Sequence, residues 1–441
     1  MPKNSIVYIA TDRAYAGRFR LYGGYNLYPN MERMAAGGTL YRNATATAGS
    51  TLMCHASEWT GRYSWELHKG HKWPDRVYQR QIPAQDSIFT DLEKDGYDLY
   101  VVLVNKRPGK CYDSFKPVFK MWPKSTKIAL TDDWDLPGAR NSTRRTQFDK
   151  IIECVENSEK NGRKAFVWMK CHGYYQIEQR EKYVDYAGQK RTTKEDIYNA
   201  EIDDNLGHLM DKLGTSDTSP DIYFASDHGS FMGEMLRSWY GYHLHQEIVH
   251  VPFICSKGGG KEISNPFSMK EVRRILNGTG GNFSEEYIFA ETLFPGQKTH
   301  APNNGVSSLA KIMVRLNRYK YIYSPYGQDG MSAKPTEELY DLAYDPREKF
   351  NMADVFSKKY VDLARPGLHG QPLPKVLSRI HSNNQYALGK QTIDTKRYPQ
   401  GIFMTEFNER GWFEVYDILQ RLRRQAKIVW NKTGRKDLFK V

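Results

Sequence analysis

The sequence predicts an α/β fold: a mostly parallel central sheet flanked by helices, followed by a smaller C-terminal α+β subdomain. Apolar, β-rich runs that end in turn signals recur along the chain, at residues 5–11, 97–104, 127–131, 164–170, 221–226 and 250–255. Amphipathic helical patterns such as QFDKIIECVENSEKNG and KEDIYNAEIDDNLGHLMDKLG separate several of these runs. Nearly continuous apolar strands that alternate with such helices are typical of a parallel sheet covered on both faces.

The pattern changes near residue 295. LAKIMVRLNRYKYIYSP and EELYDLAYDP read as short antiparallel strands with turns. Further on, ARPGLHGQPLPK is typical of a linker, and WFEVYDILQRLRRQAKIVW predicts a basic amphipathic helix. We therefore expect an α/β domain over 1–295 that carries the site, an antiparallel subdomain over 296–360, and a basic extension over 361–441.

The composition favours anionic partners. The 441-residue chain carries a formal net charge of +13, which attracts nucleic acid, anionic lipid, and phosphorylated or sulfated substrates. No apolar run of 18 residues is present, so a membrane span is not expected. The five cysteines are scattered, and the first residues lack the pattern of a signal peptide, so a cytoplasmic location is predicted. The sequence does not decide whether the chain forms a homo-oligomer.

Polar residues follow three of the predicted strands. Because ligands of such sheets bind beyond the carboxyl ends of the strands, residues 11–12, 170–172 and 226–229 should share one rim. Asp12, Asp227 and His228 are residue types that together ligate divalent cations. Each of them alone is better explained as a helix cap or a loop residue.

The segment TLYRNATATAGSTLMCHASEWTGR, residues 39–62, crowds small and hydroxyl residues before a helical pattern. The backbone N–H groups at a helix start bind anions such as phosphate or sulfate. A hydroxyl at that point can become a nucleophile when a bound metal lowers its pKa. The alternative is that Ser50 or Thr51 only caps the helix.

Taken together and in this order, these elements resemble the sulfatase-type branch of the alkaline phosphatase superfamily. The resemblance covers the opening strand with its aspartate, the P-N-x-D-like helix, the second metal-ligand turn, the E-x-x-x-V-P strand and the C-terminal E-L-Y-D-L signature. The corresponding segments are residues 4–13, 28–46, 223–229, 245–255 and 319–354.

The register of the resemblance selects the nucleophile. In the sulfatase motif C-x-P-S-R-x-x-x-x-T-G-R, the cysteine stands ten residues before the glycine of T-G-R. Thr51 stands ten residues before Gly61, whereas Cys54 stands only seven before it. The enzymes that oxidise this cysteine to formylglycine also require an arginine four residues after it. Four residues after Cys54 this chain has Glu58. The threonine-bearing relatives, with T-x-P-S-H-A-S-L-F-T-G, are closer, so the resemblance implies phosphoryl transfer through Thr51.

The same resemblance implies a site. One divalent ion (Mn, Zn, Mg or Ca) would be held by four residues: Asp12, Thr51, Asp227 and His228. Catalytic roles would fall to three residues: Thr51, His172 and His243. Substrate contacts would fall to three residues: Arg13, Lys170 and His245. A second ion stays open, although a ligand pair at Asp204 and His208 is disfavoured, because that helix resembles one in which the aspartate at position 203 is structural.

Two other functions stay open. The chain could be a sulfatase with an unusual nucleophile or a modified Cys54. It could also be a catalytically degenerate sulfatase-like protein that binds anionic polymers through its basic C-terminal segment. Nucleic acid is not favoured as the polymer, since no aromatic-basic motif is visible.

Overall fold

The structure is a computed structural model, and it describes most of the chain. The described residues are 4–67, 86–104, 121–131, 144–171, 180–234, 238–280, 283, 285–292, 310–325, 335–353 and 409–432. The strands are β1 Ile6–Thr11, β2 Thr39–Tyr41, β3 Ala44–Thr45, β4 Asp98–Val104, β5 Lys127–Thr131, β6 Ala165–Lys170, β7 Asp221–Ser226, β8 Phe231–Met232, β9 Ser238–Trp239, β10 Phe253–Cys255, β11 Lys261–Ile263, β12 Phe267–Ser268, β13 Ile288–Glu291, β14 Ile312–Leu316, β15 Tyr319–Ser324 and β16 Thr336–Asp341. The helices are α1 Pro29–Gly37, α2 Thr51–Thr60, α3 Ser64–Leu67, α4 Ile88–Lys94, α5 Arg144–Lys160, α6 Arg180–Val184, α7 Lys194–Leu213, α8 Gln246–Val249, α9 Val272–Leu276 and α10 Glu409–Lys432.

Eight strands form the central sheet, in the order β11-β2-β10-β7-β1-β6-β4-β5. Strands β7, β1, β6, β4 and β5 run parallel to one another, as the continuous apolar runs predicted. Strand β10 is antiparallel to both of its neighbours. It is shorter than the predicted 250–255 run because Pro252, just before it, cannot donate to a ladder.

Both faces of this sheet are buried. On one face, α1, α5 and α7 pack against the side chains of β1 and β6, including Val7, Ile9 and Val167. On the other face, α2 and α4 contribute to a core that includes Trp59 and Trp168. The α2 helix is buried over almost its whole length, so its first residue is held rigidly at the sheet rim.

The second sheet is antiparallel and has the order β13-β14-β15-β16. This confirms the antiparallel C-terminal subdomain. Its first strand, β13, precedes residue 295, and the domain boundaries predicted from the sequence stay predictions. The basic amphipathic segment forms α10, whose apolar side chains Leu419, Leu422 and Trp430 are buried. The predicted linker ARPGLHGQPLPK lies outside the described residues.

Among the helices that the structure describes, none is long and apolar enough to span a membrane.

Candidate active site

The candidate site lies where adjacent parallel strands end. Thr11 of β1 is level with Ser226 of β7, and β6 flanks β1 on its other side. Asp12 and Asp227 therefore leave the sheet next to each other. The predicted common rim is present.

The Asp227-His228-Gly229 turn is rigid. Its first two residues are fully buried; the His228 backbone N–H donates to Asp227 Oδ1 at 3.0 Å, and the Ser226 hydroxyl donates to the His228 carbonyl at 2.8 Å. A Cβ on Gly229 would lie 2.0 Å from the carbonyl oxygen of Glu247. Glycine is required there because the backbone of α8 passes directly against the turn.

The hydrogen bonds of His228 define which nitrogen faces the site. Its Nδ1 lies 2.9 Å from the carbonyl oxygen of Gly229; a carbonyl only accepts, so Nδ1 carries a hydrogen, and in the neutral ring Nε2 then presents a lone pair. The Thr51 hydroxyl lies 3.1 Å from this Nε2. The same nitrogen is 3.8 Å from Asp12 Oδ1 and 3.6 Å from Asp227 Oδ2.

Helix α2 presents Thr51 at this point and keeps Cys54 away from it. Ser50 is extended, and the helix begins at Thr51, which is partly exposed. Cys54 is fully buried, and its thiol donates to the Ala48 carbonyl at 3.1 Å. Burial, reinforced by the nearby charge of Asp227, raises the pKa of the Cys54 thiol well above its ordinary value. That thiol is therefore a poor nucleophile.

Asp12, Asp227 and His228 fit a divalent metal ion. They offer one ligand atom each, and these atoms lie within 4.8 Å of one another. Two ligand atoms around a tetrahedral zinc ion are about 3.4 Å apart, close to the 3.6 and 3.8 Å separations measured from His228 Nε2. Two carboxylates and an imidazole suit Mn, Zn or Mg, so the donors alone do not select the metal.

Two cations accompany the two carboxylates. Lys170 ends β6 with its Nζ 2.7 Å from Asp227 Oδ2 and 4.0 Å from Asp12 Oδ1, and it also donates to the Thr11 carbonyl at 3.0 Å. Its side chain is 0% exposed, so a direct contact with substrate requires it to leave these partners. Arg13 Nε lies 3.8 Å from Asp12 Oδ2.

Arg13 has an unusual backbone and a defined stacking partner. Its φ of 61° is in the left-handed region, where a side chain costs energy. The guanidinium lies 4.1 Å from the centre of the Tyr240 ring, and that ring in turn stacks on His228 at 4.4 Å. No sequence signal marked Tyr240, because it reaches the site from a loop.

A second buried pair, His55 and Glu58, lies next to the site, and the sequence did not predict it either. His55 Nδ1 is 2.9 Å from Glu58 Oε2, and His55 Nε2 is 3.7 Å from Asp227 Oδ2. Burial, together with the charge of Asp227, raises the pKa of Glu58 well above its ordinary value. The i, i+3 spacing of the two residues on a predicted helix was the available signal.

The three remaining predicted histidines lie in different places. A Cβ on Gly49 would lie 3.4 Å from the His243 carbonyl, so the loop of His243 packs on the chain just before α2. His245 is 2% exposed, and its Nε2 is 3.0 Å from Glu338 Oε2 of the second sheet. His172 lies outside the described residues. The roles predicted for these side chains stay predictions.

The disfavoured second-ion pair is otherwise engaged. Asp204 Oδ2 is 2.8 Å from Lys182 Nζ, and His208 Nε2 is 2.9 Å from Asp149 Oδ1. Asp203 instead accepts hydrogen bonds from the start of α1, including one from Met31 N at 2.7 Å, which is a structural contact.

Comparison with known proteins decides the family. The family model described as Sulfatase matches residues 4–271 of the chain. The chain belongs to the sulfatase family. It is thus a hydrolase of the superfamily that the motifs indicated, and it has a group of side chains able to hold a divalent ion.

Its relatives among characterised proteins are distant. This sulfatase-family chain is 28% identical to arylsulfatase K of Homo sapiens over 238 residues, which cover 46% of the chain and 43% of that protein. The chain is 23% identical to arylsulfatase K of Canis lupus familiaris over an alignment of 479 positions, which covers 88% of this chain and 86% of that protein. The match to the human protein therefore spans less than half of that protein's length.

Solved structures share the fold. The phosphonate monoester hydrolase of Agrobacterium radiobacter superposes with a TM-score of 0.58 at 15% identity, covering 89% of this chain and 97% of that one. BT4656, solved in complex with its substrate D-glucosamine-2-N,6-O-disulfate, gives a TM-score of 0.56 at 15% identity and covers 87% and 97%. At such identities the likeness concerns the fold alone.

Proposed function

We propose that this protein is a metal-dependent hydrolase that cleaves phosphate esters (phosphodiester, phosphomonoester or phosphonate) through a phosphoenzyme on Thr51. The observation that carries the proposal is the hydrogen bond of 3.1 Å between the Thr51 hydroxyl and His228 Nε2, at the centre of the Asp12, Asp227 and His228 group. The competing thiol of Cys54 is turned into the core and donates to a backbone carbonyl.

The start of α2 and Arg13 supply the anion-binding part of the site. Thr51 lies in the first turn of the helix, where unpaired backbone N–H groups and the helix dipole favour a phosphate group. Arg13 offers a planar guanidinium to the same anion. The strained backbone of Arg13 is consistent with a functional residue, since such strain persists only where the surrounding structure holds it.

Asp12, Asp227 and His228 would hold the metal ion. When bound, the ion supplies positive charge that polarises the ester and lowers the pKa of the Thr51 hydroxyl. His228 Nε2 would be occupied as a ligand of the ion, so the proton of the Thr51 hydroxyl would pass to solvent and not to His228. The tautomer fixed by the Gly229 carbonyl keeps Nε2 available for this role.

The covalent step then follows from these positions. Thr51 Oγ1 forms a bond to phosphorus as the bond from phosphorus to the ester oxygen breaks, and the ester oxygen leaves with the electron pair. His172 or His243 is the predicted donor of a proton to that oxygen. In a second displacement the oxygen of water bonds to phosphorus as the bond to Thr51 Oγ1 breaks; the phosphate product leaves, and a proton from the attacking water restores the Thr51 hydroxyl.

A sulfatase is the second candidate, and the names of the curated relatives favour it. A threonine lacks the geminal diol through which a formylglycine hydrate expels sulfate. A sulfatase would therefore need either modified Cys54 or another way of resolving a sulfated Thr51. A degenerate protein that binds anions through its basic extension is the third candidate.

One panel of activity assays distinguishes the three candidate functions. The wild-type protein, Thr51→Ala and Cys54→Ala are assayed on aryl phosphodiester, phosphomonoester, phosphonate and sulfate substrates with Mn²⁺, Zn²⁺, Mg²⁺ or Ca²⁺. We expect Thr51→Ala to lose about 10³-fold or more in kcat/KM on a phosphate ester. Cys54→Ala is the matched control, one helical turn away, and should keep at least about a tenth of the activity.

The mass of the peptide that contains Cys54 completes the test. An unmodified cysteine is expected. Cleavage of the aryl sulfate alone, together with loss of activity in Cys54→Ala and a formylglycine mass, would establish the sulfatase instead. Absence of turnover with every metal would leave the degenerate anion-binding protein.

A further inference from the structure

Lys170 is placed among the groups that would hold the metal ion. Its Nζ is 2.7 Å from Asp227 Oδ2 and 4.0 Å from Asp12 Oδ1, and it donates to the Thr11 carbonyl at 3.0 Å. The side chain is 0% exposed. Lys170 is therefore a buried cation of the site, placed next to three oxygen atoms.

The ammonium and a metal ion would compete for the same oxygen atom. Asp227 Oδ2, which pairs with Lys170 at 2.7 Å, is also the oxygen that lies 3.6 Å from His228 Nε2. An ion bound between Asp227 and His228 would therefore sit beside a positive charge in a buried, weakly screened place.

Two basic side chains face the two carboxylates of the site. Asp12 and Asp227 carry two negative charges, and Lys170 and Arg13 carry two positive ones within 4.0 Å of them. The two cations offset the repulsion between the two buried carboxylates.

We propose that Lys170 is a built-in counter-cation, which holds Asp12 and Asp227 in place without a metal ion and weakens the binding of a divalent ion at this site. The proposal rests on the metal site of the proposed function. It assigns Lys170 a positioning role at the ligands, distinct from the contact with substrate that the sequence predicted.

The test measures metal binding without substrate. Mn²⁺ and Zn²⁺ are titrated calorimetrically into the ion-free full chain, as wild type and as Lys170→Met, which removes the charge and keeps much of the side-chain volume. We expect Kd to fall at least about tenfold in the variant, since a like charge near the ion is gone. Lys182→Met is the control, because that lysine pairs with Asp204 at 2.8 Å and is 50% exposed; its Kd should not change.

Thermal unfolding provides a second readout. Mn²⁺ should raise the melting temperature of wild type above its value in EDTA, but by less than it raises that of Lys170→Met. Lys170→Met should melt lower in EDTA and recover in Mn²⁺, because the ion replaces the missing cation. Lys170→Arg, which keeps the charge, should resemble wild type.

Each outcome decides the proposal. An unchanged or weaker affinity in Lys170→Met overturns it, and so does a variant that fails to fold with and without the ion. A variant that folds only when the ion is present supports it. Failure of the proposed function would appear elsewhere, as full phosphatase activity in Thr51→Ala, so the two results are separable.

Discussion

The ion pair between Lys320 and Glu348, through the contacts of both residues with Gln246, ties the second sheet to α8. Lys320 Nζ is 2.7 Å from Glu348 Oε1, and both side chains are 0% exposed. Lys320 also donates to Gln246 Oε1 at 3.2 Å, and Gln246 N donates to Glu348 Oε2 at 2.5 Å. Replacing Lys320 by Met should therefore destabilise the fold strongly.

The size of the effect follows from burial. At a separation of 2.7 Å and an effective dielectric constant near 20, the Coulomb attraction is about 6 kcal/mol. Desolvation of the two charges offsets much of this attraction in the intact pair. In Lys320→Met, however, the Glu348 carboxylate stays buried without its cation, and such single removals cost about 3–5 kcal/mol.

A matched control exists on the surface. Lys150 Nζ is also 2.7 Å from a carboxylate oxygen, that of Glu153, but the two side chains are 32% and 54% exposed. Water screens that pair, so Lys150→Met should cost less than about 1 kcal/mol. The free energy of unfolding is measured for both variants by urea titration followed by tryptophan fluorescence.

The double variant Lys320→Met/Glu348→Leu removes both charges and should recover part of the stability lost in Lys320→Met, since the Gln246 N–H still loses its acceptor. Equal losses in Lys320→Met and Lys150→Met would refute the reasoning, because the two pairs share their N–O distance and differ in burial.

Two further predictions concern single residues near the site. His250 donates from Nε2 to the Arg42 carbonyl at 2.8 Å, and burial lowers its pKa from 6.5 to about 4. As the pH falls from 6.5 to 4, the unfolded chain therefore binds a proton at His250 before the folded chain does. The free energy of unfolding of wild type should fall by up to about 3 kcal/mol over this range. Urea titrations at several pH values should show this loss in wild type and not in His250→Phe; parallel pH profiles of the two proteins would contradict it. Arg13 has a φ of 61°, so Arg13→Gly should be more stable than Arg13→Ala by about 1 kcal/mol, while both raise KM for the phosphate ester. Equal stability of the two Arg13 variants would show that the backbone is not strained there.

The sheet could be predicted because it is buried on both faces. Strands such as β1 and β6 have to be apolar at every position, and that continuous pattern is readable without tertiary information. The end of each strand then placed Asp12 and Asp227 on a common rim. The antiparallel β10 was less predictable, since its direction depends on how the chain returns from α8, which no local pattern records.

The surroundings of the site were harder to predict. The stack of Tyr240 between Arg13 and His228 joins residues more than two hundred positions apart, at ring distances of 4.1 and 4.4 Å. The burial of Lys170 was equally hidden, because a lysine at the end of a strand usually reaches solvent. Its contacts with Asp227, Asp12 and the Thr11 carbonyl stabilise the buried position.

The structure also gives a physical reason for choosing Thr51 over Cys54. In the sulfatase motif an arginine follows the nucleophile by four residues. Counting four from Thr51 gives His55, a basic side chain whose Nε2 is 3.7 Å from Asp227 Oδ2. Counting four from Cys54 gives Glu58, whose raised pKa reflects burial and the charge of Asp227. The register set by Gly61 thus puts an imidazole four residues after Thr51, at the position of the arginine in the motif, and the choice of Thr51 as the nucleophile stays a prediction.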